Sequence, residues 1–102
     1  MKSISQLEAK RIMDTDDNCI IVDVRREDEF ETGHIPNAVN VPLEDIEDIA
    51  EDELTNKDAL LLVYCLCGRR SKMACGILES LGFTNILEFG GIIDWEYEIV
   101  KK

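Results

Sequence analysis

Three short apolar runs constrain the fold of this chain more than any other feature. They are CIIVDV (residues 19–24), LLLVY (60–64) and NILEF (85–89). Runs of this length and composition are typical of strands that are buried on both faces of a parallel sheet. A weaker run, VNV (39–41), indicates one more strand. We therefore expect a central sheet whose faces are both covered by other elements.

Segments with helical spacing separate these runs. Ser5 followed by Glu8 predicts the capped start of a first helix. A second amphipathic segment follows VNV, between residues 43 and 54. After LLLVY, apolar residues recur on one helical face up to Gly82; they are Met73, Ala74, Ile77, Leu78 and Leu81. Alternating strands and helices favour an α/β fold with a mostly parallel sheet, in which chemistry collects at the carboxyl ends of the strands.

Composition narrows the class of protein. A chain of 102 residues with 45% hydrophobic and 32% charged residues predicts one globular domain over residues 1–102. The net charge of −11 disfavours nucleic acid and anionic membranes as partners. The N-terminal segment lacks the apolar run of a signal peptide, and no stretch approaches the length of a membrane span. We therefore expect a cytoplasmic protein whose cysteines are reduced thiols.

The stretch VYCLCGRRS (63–71) carries the strongest chemical signal. It places Cys65 directly after the best-defined strand and directly before a helix. Backbone N–H groups of the turn, the helix dipole and the guanidinium groups of Arg69 and Arg70 would all favour a thiolate. A cysteine with an ordinary pKa of about 8.5 is only a few per cent ionised near neutral pH, so this stabilisation matters. We predict that Cys65 is a nucleophile.

Three segments of the chain, in order, resemble the rhodanese-type sulfurtransferases. YCLCGRRS (64–71) is similar to the active-site loop of that family, and GFTNILEFGGIIDW (82–95) resembles its last signature. IIVDVRREDEFETGHIPNAVNVP (20–42) resembles the first signature, with matching residues at Asp23, Arg25, Glu29, Gly33, His34, Ile35 and Ala38. The resemblance implies a rhodanese-like three-layer α/β fold, with a mostly parallel five-stranded sheet flanked by helices.

The resemblance also implies an activity. The loop Cys65–Arg70 has the six-residue length of the sulfurtransferases, whereas their phosphatase relatives place an arginine where this chain has Ser71. Cys65 would take a sulfane sulfur from a small anionic donor such as thiosulfate, and would pass it from a persulfide to cyanide, a thiol or a protein acceptor. No cofactor is implied. The implied loop residues, which bind substrate and stabilise the persulfide, are Leu66, Cys67, Gly68, Arg69, Arg70 and Ser71. Asp23 and Arg25 would support the site structurally.

Two other functions fit parts of the pattern. One is a non-catalytic docking or regulatory module of the same fold, against which the presence of Cys65 argues. The other is a thiol redox protein that uses Cys65 together with Cys67. At the level of single residues, Cys67 is either a redox partner or only the source of a backbone N–H. Ser71 either starts the helix or donates a hydrogen bond to the thiolate.

The remaining candidates are expected to be structural. The resemblance assigns the only histidine, His34, to loop packing rather than to a Cys-His pair. No metal site is expected, because Cys-x-Cys with scattered Cys19 and Cys75 supplies no second ligand pair.

Cys75 lies off the predicted apolar face of its helix, so we expect it to be partly exposed. The acidic segment 44–53 is interpreted as a solvated helix face, with docking of a basic protein as the alternative, and we expect a monomer.

Overall fold

A single five-stranded sheet forms the centre of the molecule. The computed structural model describes residues 1–101. The strands are β1 (Lys2–Ser3), β2 (Ile20–Asp23), β3 (Val39–Asn40), β4 (Leu60–Cys65) and β5 (Asn85–Gly91). They lie in the order β1-β5-β4-β2-β3, and every pair is parallel. The predicted five-stranded α/β architecture is confirmed.

Helices connect the strands and cover both faces of the sheet. They are α1 (Gln6–Thr15), α2 (Glu27–Thr32), α3 (Ile46–Glu53) and α4 (Arg69–Ser80), with short 3-10 turns at Leu43–Asp45 and Ile92–Asp94. The predicted cap of α1 is present, because the Ser5 hydroxyl accepts a hydrogen bond from the Glu8 N–H at 3.1 Å. No helix within residues 1–101 is long and apolar enough to cross a membrane.

Strand alternation divides the core into two layers. Leu61, Val63 and Cys65 of β4 face the layer that contains α3 and α4. Leu62 and Tyr64 face the opposite layer, which contains Ala9 of α1. Because successive side chains of a strand point to opposite faces, the position of Cys65 along β4 decides which layer its side chain enters. Cys65 is thereby directed towards the N-terminal end of α4.

The buried face of helix α4 is rotated by part of a turn from the face that the sequence pattern predicted. Its buried residues are Ser71, Ala74, Cys75 and Leu78, at the i, i+3, i+4, i+7 spacing of a helix stripe. Met73 is 59% exposed, so its predicted place in the core is wrong, and so is the predicted exposure of Cys75. The small side chains of Ser71 and Cys75 occupy the sheet-facing positions, whereas the sequence pattern favoured the larger apolar residues. Burial raises the pKa of the Cys75 thiol to about 12, which makes this cysteine inert.

The acidic segment 44–53 presents its carboxylates to solvent. Ile46 and Ala50 of α3, with Leu54 beyond its end, are buried in the core, and the seven acidic residues of the segment are all exposed. The interpretation as a solvated amphipathic face agrees with this arrangement. Docking of a basic protein to the same face stays a prediction.

Candidate active site

Cys65 is the last residue of β4 and is completely buried. The register between β4 and β5 shifts just before it, so that Cys65 pairs with Gly91 rather than with the residue that a regular ladder would place opposite it. This irregularity ends the regular pairing at the residue where the chain must turn away. The thiol therefore lies at the carboxyl edge of the sheet, the place where the α/β rule expects chemistry.

The turn after β4 wraps around the sulfur atom. Gly68 adopts a φ of 98°, which an L-residue rarely adopts, and its N–H donates a hydrogen bond of 2.9 Å to Cys65 Sγ. Helix α4 begins at the next residue, Arg69, so the positive end of its dipole lies near the sulfur. Both features favour negative charge on Cys65.

Gly91 allows the loop to lie directly on β5. A Cβ atom at Gly91 would collide with the Leu66 carbonyl and with the backbone of Cys67. Beyond the strand, the Ile93 N–H donates a hydrogen bond of 3.1 Å to the Leu66 carbonyl. Gly91 thus allows close approach of the loop backbone to β5.

Ser71 lies in the first turn of α4, with its Oγ 3.5 Å from Cys65 Sγ. It starts the helix, which is one of the two roles that the sequence left open. In its contact with the neutral thiol, Cys65 is the donor and the Ser71 oxygen accepts, and only a Cys65 thiolate could accept a hydrogen bond from the hydroxyl. Burial by itself raises the pKa of the Cys65 thiol, but hydrogen bonds from the Ser71 hydroxyl and from the N–H groups of Ser71, Gly68 and Cys67 outweigh it. The resulting pKa of Cys65 lies below that of an ordinary cysteine.

Glu88 is a buried carboxylate beside the loop that the sequence analysis did not identify. Its side chain is 2% exposed and accepts hydrogen bonds of 2.7 Å from the Ser71 hydroxyl and from the Gly90 N–H. A charged residue buried to this degree is uncommon without hydrogen-bonded partners. The available signal was a glutamate in the apolar run NILEF, at a position where a buried strand favours an apolar residue.

The two arginines of the loop have different surroundings. Arg69 is exposed to solvent. Arg70 is partly buried, and its guanidinium donates hydrogen bonds of 2.7 and 3.0 Å to the two carboxylate oxygens of Glu29 in α2. These bonds lower the pKa of Glu29 to about 2. Arg70 is thus paired with a carboxylate of the protein itself.

Asp23 and Arg25 form a buried ion pair at the end of β2. The Arg25 guanidinium donates hydrogen bonds of 2.8 to 3.1 Å to the Asp23 carboxylate and one of 2.6 Å to the Gly33 carbonyl. It also lies 5.9 Å from the ring centre of Tyr64, whose hydroxyl accepts a hydrogen bond from the Ile35 N–H. These contacts tie the segment before β3 to the sheet, so the pair has the geometry of structural support.

The other candidates lie apart from this cluster. The His34 ring stacks on Phe30 at 3.7 Å between ring centres, and its Nδ1 lies 2.8 Å from the Phe30 carbonyl oxygen. These contacts are those of a packed histidine, as the resemblance implied. Cys67 is exposed, and all four cysteines are free. Among residues 1–101, no group of three or more His, Cys, Asp or Glu residues could hold a metal ion.

Comparison with known proteins bears on this geometry. The family model described as "Rhodanese-like domain" matches residues 5–98. The chain is 32% identical to the putative sulfurtransferase YtwF of Bacillus subtilis, over 100% of this chain and 97% of that protein. It is also 32% identical to the thiosulfate sulfurtransferase PspE of Escherichia coli, over 78% of this chain and 77% of that protein. These relatives have the length expected of one such domain.

A further relative and a solved structure extend the comparison. The putative sulfur carrier protein YrkF of B. subtilis is 38% identical over 87% of this chain, which spans only 48% of that protein. The crystal structure of a rhodanese-related protein from Thermoplasma volcanium superposes with a TM-score of 0.86 at 26% identity and covers 100% of both chains. The family match, the shared fold and the sulfurtransferase names of these relatives agree with the loop around Cys65, and the chain belongs to the rhodanese-like domain family of sulfurtransferases.

Proposed function

We propose that this chain acts as a single rhodanese domain that moves a sulfane sulfur through a persulfide on Cys65. The donor would be a small anion such as thiosulfate, and the acceptor cyanide, a thiol or a protein. The observation that carries the proposal is the hydrogen bond of 2.9 Å from the Gly68 N–H to Cys65 Sγ, at the N-terminus of α4. A loop that stabilises an anionic sulfur suits both the attacking thiolate and the persulfide.

The first half-reaction requires a thiolate and no proton transfer. The Cys65 thiolate attacks the outer sulfur of thiosulfate, a new sulfur–sulfur bond forms, and sulfite leaves with the electron pair of the broken bond. Because no proton moves in this step, no general base is needed once the thiol is ionised. The lowered pKa of Cys65 supports ionisation, and it explains why His34 can serve in packing instead.

The second half-reaction returns the charge to Cys65. A thiolate acceptor attacks the outer sulfur of the persulfide, and Cys65 leaves as a thiolate. The groups that stabilise this leaving group are the Gly68 N–H and the Ser71 hydroxyl, which already lie 2.9 and 3.5 Å from Sγ. The same donors therefore assist both half-reactions, as the preorganised donors of an anion site do.

Positive charge near the loop supports an anionic donor. The chain carries a net charge of −11, so the general field of the protein repels anions. Exposed Arg69 and partly buried Arg70 place two guanidinium groups at the start of α4, beside the loop. The thiosulfate sulfurtransferase name of the E. coli relative supports the same class of donor. We further propose that the domain is cytoplasmic and monomeric, and that it binds neither nucleic acid nor membrane.

Mass spectrometry tests the proposal directly. The purified protein is incubated with thiosulfate, the donor is removed, and the intact mass is recorded. We expect one added sulfur atom, which is lost when cyanide or a thiol is supplied. Cys65→Ser should add no sulfur, because this loop cannot ionise a hydroxyl, whereas the matched control Cys19→Ser should load normally. Loading of Cys65→Ser would overturn the assignment of Cys65 as the nucleophile, and no loading of the unmodified protein by any sulfane donor would overturn the proposal in favour of a docking module.

A further inference from the structure

One hydroxyl proton lies between two groups that can both be anionic. Ser71 Oγ is 2.7 Å from a carboxylate oxygen of Glu88, 3.0 Å from the Gly68 carbonyl oxygen and 3.5 Å from Cys65 Sγ. A serine hydroxyl has a single proton to donate. The short contact with a carboxylate is the strongest of the three. In the resting protein the proton therefore points to Glu88, and the Ser71 lone pairs face the sulfur.

This arrangement favours the neutral thiol of Cys65. A hydroxyl that donates to Glu88 can accept a hydrogen bond from the Cys65 S–H but cannot donate one to a thiolate. For Cys65 to ionise with full support from Ser71, the hydroxyl must turn from the carboxylate to the sulfur. Glu88 then keeps the Gly90 N–H at 2.7 Å as a donor to the same oxygen. The exchange is therefore feasible, but the charge of Glu88 opposes it.

Other polar, charged and titratable groups lie around Glu88 and Cys65. The second carboxylate oxygen of Glu88 lies 3.3 Å from the Ser3 hydroxyl and 3.6 Å from the ammonium group of Lys72, which is 58% exposed. Arg70 interacts electrostatically with Cys65 and stabilises negative charge there. Cys75, in the neighbouring turn of α4, stays a thiol because burial, and then the charge of Glu88, raise its pKa. None of these groups competes for the Ser71 proton.

We propose that Glu88 is a positioning residue that holds the Ser71 hydroxyl proton and so sets how readily Cys65 becomes anionic. The hydrogen-bond donors to the carboxylate are the Ser71 and Ser3 hydroxyls and the Gly90 N–H, so its effect on the sulfur is transmitted through Ser71. Its placement inside an apolar strand, at 2% exposure, is otherwise unfavourable for folding. A role in the reactivity of Cys65 gives this burial a function.

The inference extends to the sulfur-loaded protein, and this extension rests on the proposed function. In a persulfide the negative charge lies on the outer sulfur, about 2 Å from Sγ. Sγ itself is then neutral and no longer requires the Ser71 proton, which returns to Glu88. Glu88 therefore opposes the free thiolate more than it opposes the persulfide. It should shift the equilibrium with thiosulfate and sulfite towards the loaded form.

The test measures the ionisation of Cys65 without requiring sulfur transfer. The rate of alkylation by iodoacetamide is followed across pH, and tandem mass spectrometry assigns the label to Cys65 rather than to Cys67. Glu88→Gln keeps the shape and an acceptor oxygen but removes the charge. We expect it to lower the apparent pKa of Cys65 by about one unit, which makes alkylation about tenfold faster below that pKa. Asp94→Asn, an exposed carboxylate on the same groove, serves as the matched control and should change the profile little.

A double-mutant comparison separates the relay from a direct charge effect. In the Ser71→Ala background, the effect of Glu88→Gln on the pKa of Cys65 should largely disappear. An unchanged profile in Glu88→Gln, or an equal shift in both backgrounds, would overturn the proposal. If Glu88→Gln does not fold, Lys72→Met replaces it, because loss of the exposed cation strengthens the hold of Glu88 on the proton. Lys72→Met should then raise the pKa of Cys65 more when Ser71 is present than in the Ser71→Ala background, and equal shifts would again overturn it.

Discussion

Arg70 in the first turn of α4 and Glu29 in α2 are joined by two parallel hydrogen bonds of 2.7 and 3.0 Å. This bidentate geometry is the strongest form of an arginine–carboxylate contact. Glu29 also accepts a hydrogen bond of 3.1 Å from the Arg26 N–H, which fixes the carboxylate further. An anionic donor that uses Arg70 must therefore compete with Glu29 or approach the free edge of the guanidinium.

The Arg70–Glu29 contact leads to a first prediction about donor use. Arg70→Ala should slow persulfide formation from thiosulfate by about tenfold, equivalent to about 1.4 kcal/mol, because a partly buried cation that interacts electrostatically with Cys65 is lost. Discharge of the persulfide to an acceptor thiol that carries no other charged group should change little. Glu29→Gln removes the competing carboxylate and should accelerate formation. Single-turnover loading and discharge, quenched and followed by intact mass, measure the two steps separately.

The outcome distinguishes a substrate role of Arg70 from a structural one. Equal losses in loading and discharge would show that Arg70 only holds α2 against α4. Arg69→Ala is the matched control for the loss of a positive charge at the adjacent exposed position. A comparable effect in that variant would point to the general field rather than to a specific contact.

The same ion pair predicts an acid-dependent loss of stability. The pKa of Glu29 is lowered from 4.5 to about 2 in the folded protein, chiefly by the hydrogen bonds from Arg70. Because the folded pKa is the lower one, the contribution is fully present above 4.5 and is lost as the pH falls towards 2. We expect the unmodified protein to exceed Glu29→Gln in free energy of unfolding by about 2 kcal/mol near neutral pH. Urea unfolding across acidic pH should show the two converging; a constant difference would contradict this.

Two glycines offer a matched pair for testing the loop backbone. Gly91→Ala should destabilise the protein by about 1–3 kcal/mol or more, because the new Cβ would collide with the Leu66 carbonyl. It should also reduce sulfur loading, since the loop that it displaces holds Cys65. Gly76 lies inside α4 with nothing within 4 Å of its position for a Cβ. Gly76→Ala should therefore stabilise by up to about 1 kcal/mol, and chemical denaturation of both variants checks the contrast.

Local pattern was sufficient for the strands that lie in the middle of the sheet. CIIVDV, LLLVY and NILEF predicted β2, β4 and β5, because strands buried on both faces must be apolar throughout. Strand β1 has no such signal, since Lys2 and Ser3 are polar and exposed and join the sheet through backbone pairing with β5. The predicted apolar stripe of α4 is displaced as well, because the buried positions of this helix hold the small residues Ser71, Ala74 and Cys75 together with Leu78.

Within the candidate site, sequence predicted what lies on one continuous stretch. Cys65, Gly68 and Ser71 fall within a single strand–turn–helix unit, so their proximity follows from chain connectivity. The partners that modify them come from distant positions: Glu88 is 17 residues from Ser71, and Glu29 is 41 residues from Arg70. Neither contact follows from periodicity, because both depend on how β5 and α2 pack against the loop.

Ser71 provides a prediction about pH dependence. Its hydroxyl is one of the groups that lower the pKa of Cys65 against the effect of burial. Ser71→Ala removes this donor while the buried position is kept, so the pKa of Cys65 should rise. The pH at which loading by thiosulfate reaches half of its maximal rate should therefore move upward, with the rate at high pH less affected. A uniform loss of rate at every pH would instead indicate a general disturbance of the loop.

The sequence left two roles open for Cys67, as a redox partner of Cys65 or only as the source of a backbone N–H. Its position favours the second role. The side chain is exposed and lines a groove with Gln6, Lys72 and Gly90, whereas Cys65 is buried against α4. A redox role would require the Cys67 thiolate to attack the inner sulfur of the persulfide. That step would form a Cys65–Cys67 disulfide and expel hydrosulfide.

We predict that Cys67 is dispensable for transfer and that its thiol does not discharge the persulfide. Two residues of extended chain span about 7 Å between Cα atoms, at the limit for a disulfide, so closure would require strain in the loop. Unmodified protein and Cys67→Ser are each loaded with one sulfur, freed of donor and followed by intact mass without acceptor. Identical decay is expected. Faster decay of the unmodified protein, ending at a mass two hydrogens below the reduced form, would contradict this prediction and establish Cys67 as a resolving thiol.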